Sequence, residues 1–360
     1  MSSARGRTPA SELAHMHRAW LALVDADGPF LALPALKRVY PNGIPASGPR
    51  ARGALRDAKP VFDKAWDAYQ QACEAAGRSA AADAAAVDAL PAYREARDTW
   101  VGTVLRDVLG WGEHSVPTTE TLSAAYAATS PDGRDRVTPT GALAVEGRVG
   151  ALVLVVDPVD DLREILPGSW AASPIDRMES MLRAPDSACT IGVVTDGRWW
   201  ALVSAAPGTM LASGIVDALT WIEEPATRDA LIELLSIRRL LGGEEKDRLP
   251  SLFAESVVAA EEITEALGVQ VRRAVELLVA AFSEAGRATV QREGTDPLPE
   301  DAGKIYDAAV TVMMRVVFLL FAEERDLLPG TALFHRGYGM AGVLDALEER
   351  ERTEGEESLE

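Results

Sequence analysis

The sequence predicts an α+β protein with a helical front, a small α/β middle and a helical end. Three observations carry that reading. Apolar residues recur at helical spacing up to about Leu109, give way to short valine-rich runs around an Asp-Gly pair between Val149 and Ala205, and return to helical spacing after Pro225. The divisions expected are 1–112, 113–224 and 225–360, in keeping with 360 residues being long for one core.

At the front, Thr8-Pro9 reads as an N-cap and first helical residue, with Leu13, Met16, Trp20 and Leu23 on one face. The Pro/Gly-rich stretch from Val39 to Gly53 reads as a loop. A second helix is expected from near Pro60, carrying Phe62, Trp66, Tyr69 and Cys73 on one stripe, and a third from about Pro91 to Leu109.

In the middle, VGALVLVVD (Val149–Asp157) is a continuous apolar run of the kind that forms a strand buried on both faces. Ser173-Pro174 opens a helix with Met178, Met181 and Leu182 inward. CTIGVVTDGRWWALVSA (Cys189–Ala205) predicts two strands hinged at Asp196-Gly197.

At the end, SIRRLLGG closes one helix with Arg238 and Arg239 in its last turns and Gly242 beyond. Amphipathic segments Ser251–Leu267 and Val269–Ala285 follow, then a polar linker, then a helix apolar nearly all round. That helix carries one stripe of Tyr306, Val310, Met313, Val317 and Leu320, a second of Val312, Val316 and Leu319, and one narrow polar line of Asp307, Thr311 and Arg315. The pattern predicts a helix enclosed by protein. The closing DALEERERTEGEESLE reads as an acidic helix with no stop signal, as if the chain continued.

Composition narrows the function classes. Cys73 and Cys189, both in apolar context, are expected to be reduced core thiols of a cytoplasmic protein and are too few for a zinc cluster or disulfide framework. The start lacks an apolar signal core, and the run 308–322 is interrupted by Arg315, so a buried helix is expected and no membrane partner. The net charge of −19 argues against nucleic-acid binding over the whole surface. The excess is uneven: residues 1–120 are neutral, with 14 acids and 14 bases, while 226–360 carry 27 acids and 15 bases. Any basic surface must lie toward the front.

It is found between Leu36 and Lys64, where seven bases stand against Asp57 and Asp63. Lys37, Arg38, Arg50, Arg52 and Arg56 are the candidate DNA contacts, of a type that grips phosphates without reading sequence. The plain alternative is a solvated face opposite the acidic third. No Walker loop, GxGxxG, HExxH or GxSxG occurs, and His15, His17, His114 and His335 are scattered. His15 and His17, two apart on a helix, fit a partly exposed structural role better than metal binding. No catalytic, cofactor-binding or metal-binding residue is assigned.

The strand–helix–hairpin order with TDGRWW resembles the core of restriction-type nucleases. That metal site needs an Asp and then an acid-x-Lys on the next strand. Here the strand ends in Val155-Val156-Asp157 without a lysine, and Glu146-Gly147-Arg148 only approximates the motif, because Arg cannot act as a proton-shuttling Lys. A degenerate nuclease-like domain is therefore expected.

Three longer stretches resemble one family in order along the chain. They are WLALVDADGPFLALPALKRVYPNGIP, ASPIDRMESMLRAPDSACTIGVVTDGRWWALV, and GVQVRRAVELLVAAF followed by IYDAAVTVMMRVVFLLFAEERDLLP. The family is the N-terminal region of large adenine-specific DNA methyltransferases of bacterial phage-defence and restriction systems, including type IIG-like enzymes and the DISARM methylase. The resemblance implies a module that contacts double-stranded DNA and leads into a catalytic domain binding S-adenosylmethionine, alongside other defence-system subunits. No methylase motif lies in these residues, so no catalytic residue is carried over. A non-enzymatic docking scaffold, binding partner proteins through its acidic C-terminal third, is the alternative.

Overall fold

The computed structural model describes residues 9–76, 80–167, 170–185, 187–299, 301–324, 327–328, 334 and 338–354. It is α+β, built on a seven-stranded mixed sheet. The chain divides into two compact units, Met1–Glu261 and Glu262–Glu360.

In the first unit, α1 (Pro9–Leu21), β1 (Asp25–Asp27), α2 (Leu33–Val39), α3 (Pro49–Ala75) and α4 (Ala80–Thr103) precede the main sheet strands. Then come β2 (Ser115–Pro117), α5 (Glu120–Tyr126), the small pair β3 (Ala128–Thr129) and β4 (Arg136–Val137), β5 (Gly141–Val145) and β6 (Arg148–Val155). The helix α6 (Pro174–Leu182) crosses to β7 (Ile191–Thr195), followed by β8 (Trp199–Ser204) and β9 (Ala212–Asp217). α7 (Pro225–Leu234), α8 (Ile237–Leu240) and the 45-residue α9 (Leu249–Glu293) follow.

The sheet order is β1-β9-β8-β7-β6-β5-β2, antiparallel throughout except for the pair β6–β7. A parallel pair needs a crossover, and α6 supplies it. Its start is a capping box: Ser173 accepts from the Asp176 amide, and the Asp176 carboxylate accepts from the Ser173 amide. Both faces of the sheet are covered. Val153, Val193, Trp200 and Val216 pack under the helical front and α7, whereas Leu152, Leu154, Val194 and Val203 pack under α5 and α6. This is why β6 and β7 read as unbroken apolar runs rather than alternating ones. Gly192 lets α6 approach, since a Cβ there would lie 2.4 Å from Met178 Sδ.

The division expected at 112/113 is not where the contacts part. Residues 25–27 form an edge strand of the sheet, and Trp20, Phe62, Trp100 and Trp111 share one core with Trp200 and Trp221. Nor do they part at 224/225, because Leu231, Leu234, Leu249 and Phe253 belong to that same core. The helical front is a layer on the sheet.

Several local expectations shift. Thr8 lies outside the described residues, and the buried face of α1 carries Ala14, His17 and Trp20, with Val24 buried just past its end, while Met16 on the helix and Leu23 beyond it are exposed. α3 begins at Pro49, preceded by Gly48, and runs through Pro60; its buried Ala51, Leu55, Phe62 and Trp66 outweigh the interior proline. α4 likewise begins before Pro91. Leu235–Ser236 separates α7 from α8, with Ser236 capping the second piece. The two segments expected at 251–267 and 269–285 are one helix, uninterrupted at Gly268. Cys189 is buried as expected, but Cys73 is exposed.

The second unit holds the rest of α9, α10 (Ala302–Glu324) and α11 (Met340–Glu354). The enclosure expected for the apolar helix is not found among the described residues. Ala309 and Ala322 are buried, but Met314 is 61% and Phe318 65% exposed. By length and composition alone, 302–323 is also long and apolar enough to cross a membrane, where a buried helix was expected.

Candidate functional site

The basic segment does not form one cationic surface. Arg38, in the last turn of α2, donates to Glu255 Oε1 at 2.6 Å, to Asp247 Oδ1 at 2.7 Å and to the Lys246 carbonyl at 2.7 Å. Its charge is spent within the first unit, and those carboxylates hold the guanidinium more firmly protonated. Arg50 reaches Asp107 at 3.1 Å with its side chain 81% exposed, so that pair is loose. Arg50 and Arg52 lie on α3 rather than in a mobile loop, and two helical steps set them about 200° apart. Arg52 donates to the Ser47 carbonyl and shares a flank with Arg56, one turn on. Arg56 and Lys64 are exposed, Lys37 is half-buried, and Lys59 is buried and bonded to Asp63 at 2.6 Å. Of the five candidates, Arg52 and Arg56 are brought together, Arg50 is turned away, and Arg38 is neutralised.

The TDGRWW hairpin is a structural keystone. The Asp196 side chain accepts the amides of Trp199 at 2.7 Å, Arg198 at 3.0 Å and Val159 at 3.3 Å. Its carboxyl is pushed up to about 6 by burial, against the pull of those amides. The Asp196 carbonyl accepts from Tyr93 Oη at 2.7 Å, and the Gly197 carbonyl accepts from Trp100 Nε1 at 2.9 Å and Trp200 Nε1 at 3.1 Å. Gly197 has φ +102°, and a Cβ there would sit 2.9 Å from Phe62, Tyr93 and Arg97. Arg198 pairs with Asp217 at 3.0 Å and lies 4.2 Å from the Trp199 ring centroid. Thr195, Asp196, Arg198 and Trp200 of the motif use their side chains inside the fold, while the buried Trp199 indole N–H has no hydrogen-bond partner among the described residues.

Asp157 is also occupied. Arg94 donates to it at 2.5 and 2.7 Å, holding the carboxyl below its usual range, and Arg97 contributes at 3.3 Å. Glu146-Gly147 is the tight turn between β5 and β6, with φ of +50° and +78°, so Glu146 cannot be a strand carboxylate. His17 is fully buried rather than partly exposed. Trp20 Nε1 donates to its Nδ1 at 3.4 Å, leaving Nε2–H to donate to the Tyr40 carbonyl at 3.2 Å, and burial lowers its pKa.

One feature escaped the sequence reading. A cavity of about 590 Å³ lies between α4 and the edge formed by β2, β5 and β6. Thr140, Gly141, Val153 and Val155 line it, so valines stand two apart on β6 where a hydrolytic metal site of the kind considered above would need an acid and a lysine. Among the described residues, no three His, Cys, Asp or Glu side chains gather to hold a metal ion. Nothing in the spacing flags the cavity, because its polar rim, Asp98, Arg106 and Ser115, comes from separate elements.

No protein-family model matches the chain, and neither a curated protein nor a solved structure does.

Proposed function

We propose that this chain is the N-terminal positioning module of an adenine-specific DNA methyltransferase of bacterial phage defence, restriction-modification or DISARM-type. It contacts double-stranded DNA weakly and docks a catalytic domain. The observation that carries the docking role is the apolar surface of α10: a helix with Met314, Phe318 and Phe321 exposed has a face that favours a protein partner. S-adenosylmethionine belongs to the catalytic domain in this reading. The turn after β6, the one parallel strand leading into a crossover, is 156-VDPVDDL-162; it has no glycine, and Asp157 is bound by two arginines, so these residues do not fit that cofactor.

The docking-scaffold alternative draws support from Arg38. Asp247 and Glu255, from the acidic third, already neutralise this one arginine of the basic segment. That favours protein partners over DNA.

Mapping N6-methyladenine by single-molecule sequencing in the source cell tests the proposal. In-frame removal of residues 1–261, or Phe318→Ser with Met314→Ser, should abolish methylation at one sequence motif. A methylome that does not change would reject the methyltransferase reading and leave the scaffold.

A further inference from the structure

The 590 Å³ cavity beside α4 has a construction that neither DNA contact nor domain docking uses. Directly after α4 the helix widens into a π turn over Val104–Val108, where the Leu109 amide bonds to the Val104 carbonyl at 2.8 Å, five residues back. Such turns cost helical regularity and recur where a helix shapes a functional surface. Here the turn places Leu105 and Arg106 on the cavity wall.

The wall is apolar on one side, with Leu105, Val116, Val153 and Val155, and polar at the rim. Arg106 is exposed and donates through Nε only to its own helix, at the Gly102 carbonyl, 3.2 Å away. Its guanidinium has no carboxylate partner among the described residues. Asp98 gives Oδ1 to Arg97 at 2.9 Å, and its side chain is 64% exposed, which leaves an acceptor facing the opening. Ser115 adds a hydroxyl. The volume is in the range of small-ligand sites, roughly 300–1,000 Å³.

We propose that this cavity binds a nucleoside 5′-phosphate, either free or as the terminal nucleotide of a strand. The flat base lies on the valine wall, Arg106 takes the phosphate and Asp98 accepts from an exocyclic amine. An anion alone would not need the apolar wall, and an apolar ligand alone would not need the unpaired arginine. No bond is made or broken in this site. The inference goes beyond the methyltransferase reading and does not depend on it.

The test is titration of the intact chain with dAMP, followed by ligand-observed NMR, with a 5′-phosphorylated single-stranded oligonucleotide as competitor. Saturable binding below millimolar is expected. Arg106→Glu should weaken it by about tenfold or more, and Arg106→Lys should retain most of it. Gly102→Leu should block the cavity while leaving or raising thermal stability, because a Cβ at this helical position meets only the Arg106 tip at 3.4 Å. Arg287→Glu, the same charge change at an exposed arginine of α9 that donates to its own helix, should leave binding intact. An oligonucleotide that competes better than dAMP identifies a strand end, and one that competes worse identifies a free nucleotide. Absence of saturable binding at millimolar dAMP, or equal weakening by Arg287→Glu and Arg106→Glu, would overturn the proposal, as would full binding by a folded Gly102→Leu protein.

Discussion

Trp100, on α4, donates its indole N–H to the carbonyl of Gly197 at 2.9 Å, across 97 residues of sequence. That bond, with those from Tyr93 and Trp200, ties the helical layer to the β7–β8 turn. Trp100→Phe keeps most of the ring packing on Phe62 and loses the donor. Trp200 still serves the same carbonyl, but Trp100 is fully buried, so the cavity and the lost donor together should cost roughly 2–3 kcal/mol, read as a lower chemical-denaturation midpoint with unchanged slope.

Gly197→Ala should be at least as costly. Its φ of +102° suits glycine, and the new methyl would meet the Phe62 ring, the Tyr93 hydroxyl and the Arg97 stem at 2.9 Å. Strain and crowding together should cost roughly 2–4 kcal/mol. A variant within half of 1 kcal/mol of the parent in urea melts would contradict the keystone role.

Asp196 gives a pH signature. Its carboxyl is raised from 3.8 to about 6, chiefly by burial, so the folded state holds the proton more tightly than the unfolded chain. The associated stability is fully present below pH 4 and is lost as pH rises through about 6, in total on the order of 2–3 kcal/mol. His17 and Asp157 titrate with the opposite effect, since their folded values are lowered. Measuring the parent minus Asp196→Asn isolates the group: the parent should lose relative stability between pH 4 and 6. A flat difference would mean that the three amides fully offset the burial.

The middle of this fold was legible because its strands are buried on both faces, and that burial requires valine-rich runs bounded by Asp-Gly. β1 was not, since Asp25-Ala26-Asp27 is exposed, pairs through its backbone to Ser213–Ile215, and is held further by a distant ion pair from Asp25 to Arg163. The start of α3 was hidden by Pro49 and Gly53, residues that mark loops in general but here sit at the first turn and on the helix. The charge of the basic segment was readable; its partners were not. Arg38 meets Glu255 from 217 residues away, a pairing that no local pattern encodes. The same limit applies to the cavity, whose walls come from α4, the turn after it and three strands.

Arg38 and Arg56 should therefore behave differently. Arg38→Ala breaks a half-exposed network to Asp247 and Glu255 and should cost about 1 kcal/mol of stability. Arg56→Ala, exposed, should change stability by less than about 0.5 kcal/mol. Thermal melts of the two variants at low and high salt check this, with the Arg38 effect shrinking as salt rises.

The claim that this chain touches DNA is tested most directly by its affinity for duplex DNA across a salt series. With Arg38 neutralised and Arg50 turned from Arg52 and Arg56, about two or three phosphate contacts remain, so log affinity against log salt should have a slope near −2 to −3. Arg52→Ala with Arg56→Ala should shallow that slope by about two, while Arg38→Ala leaves it alone. A slope unchanged by the double substitution, or no measurable binding at low salt, would contradict the account and favour a scaffold that meets only proteins.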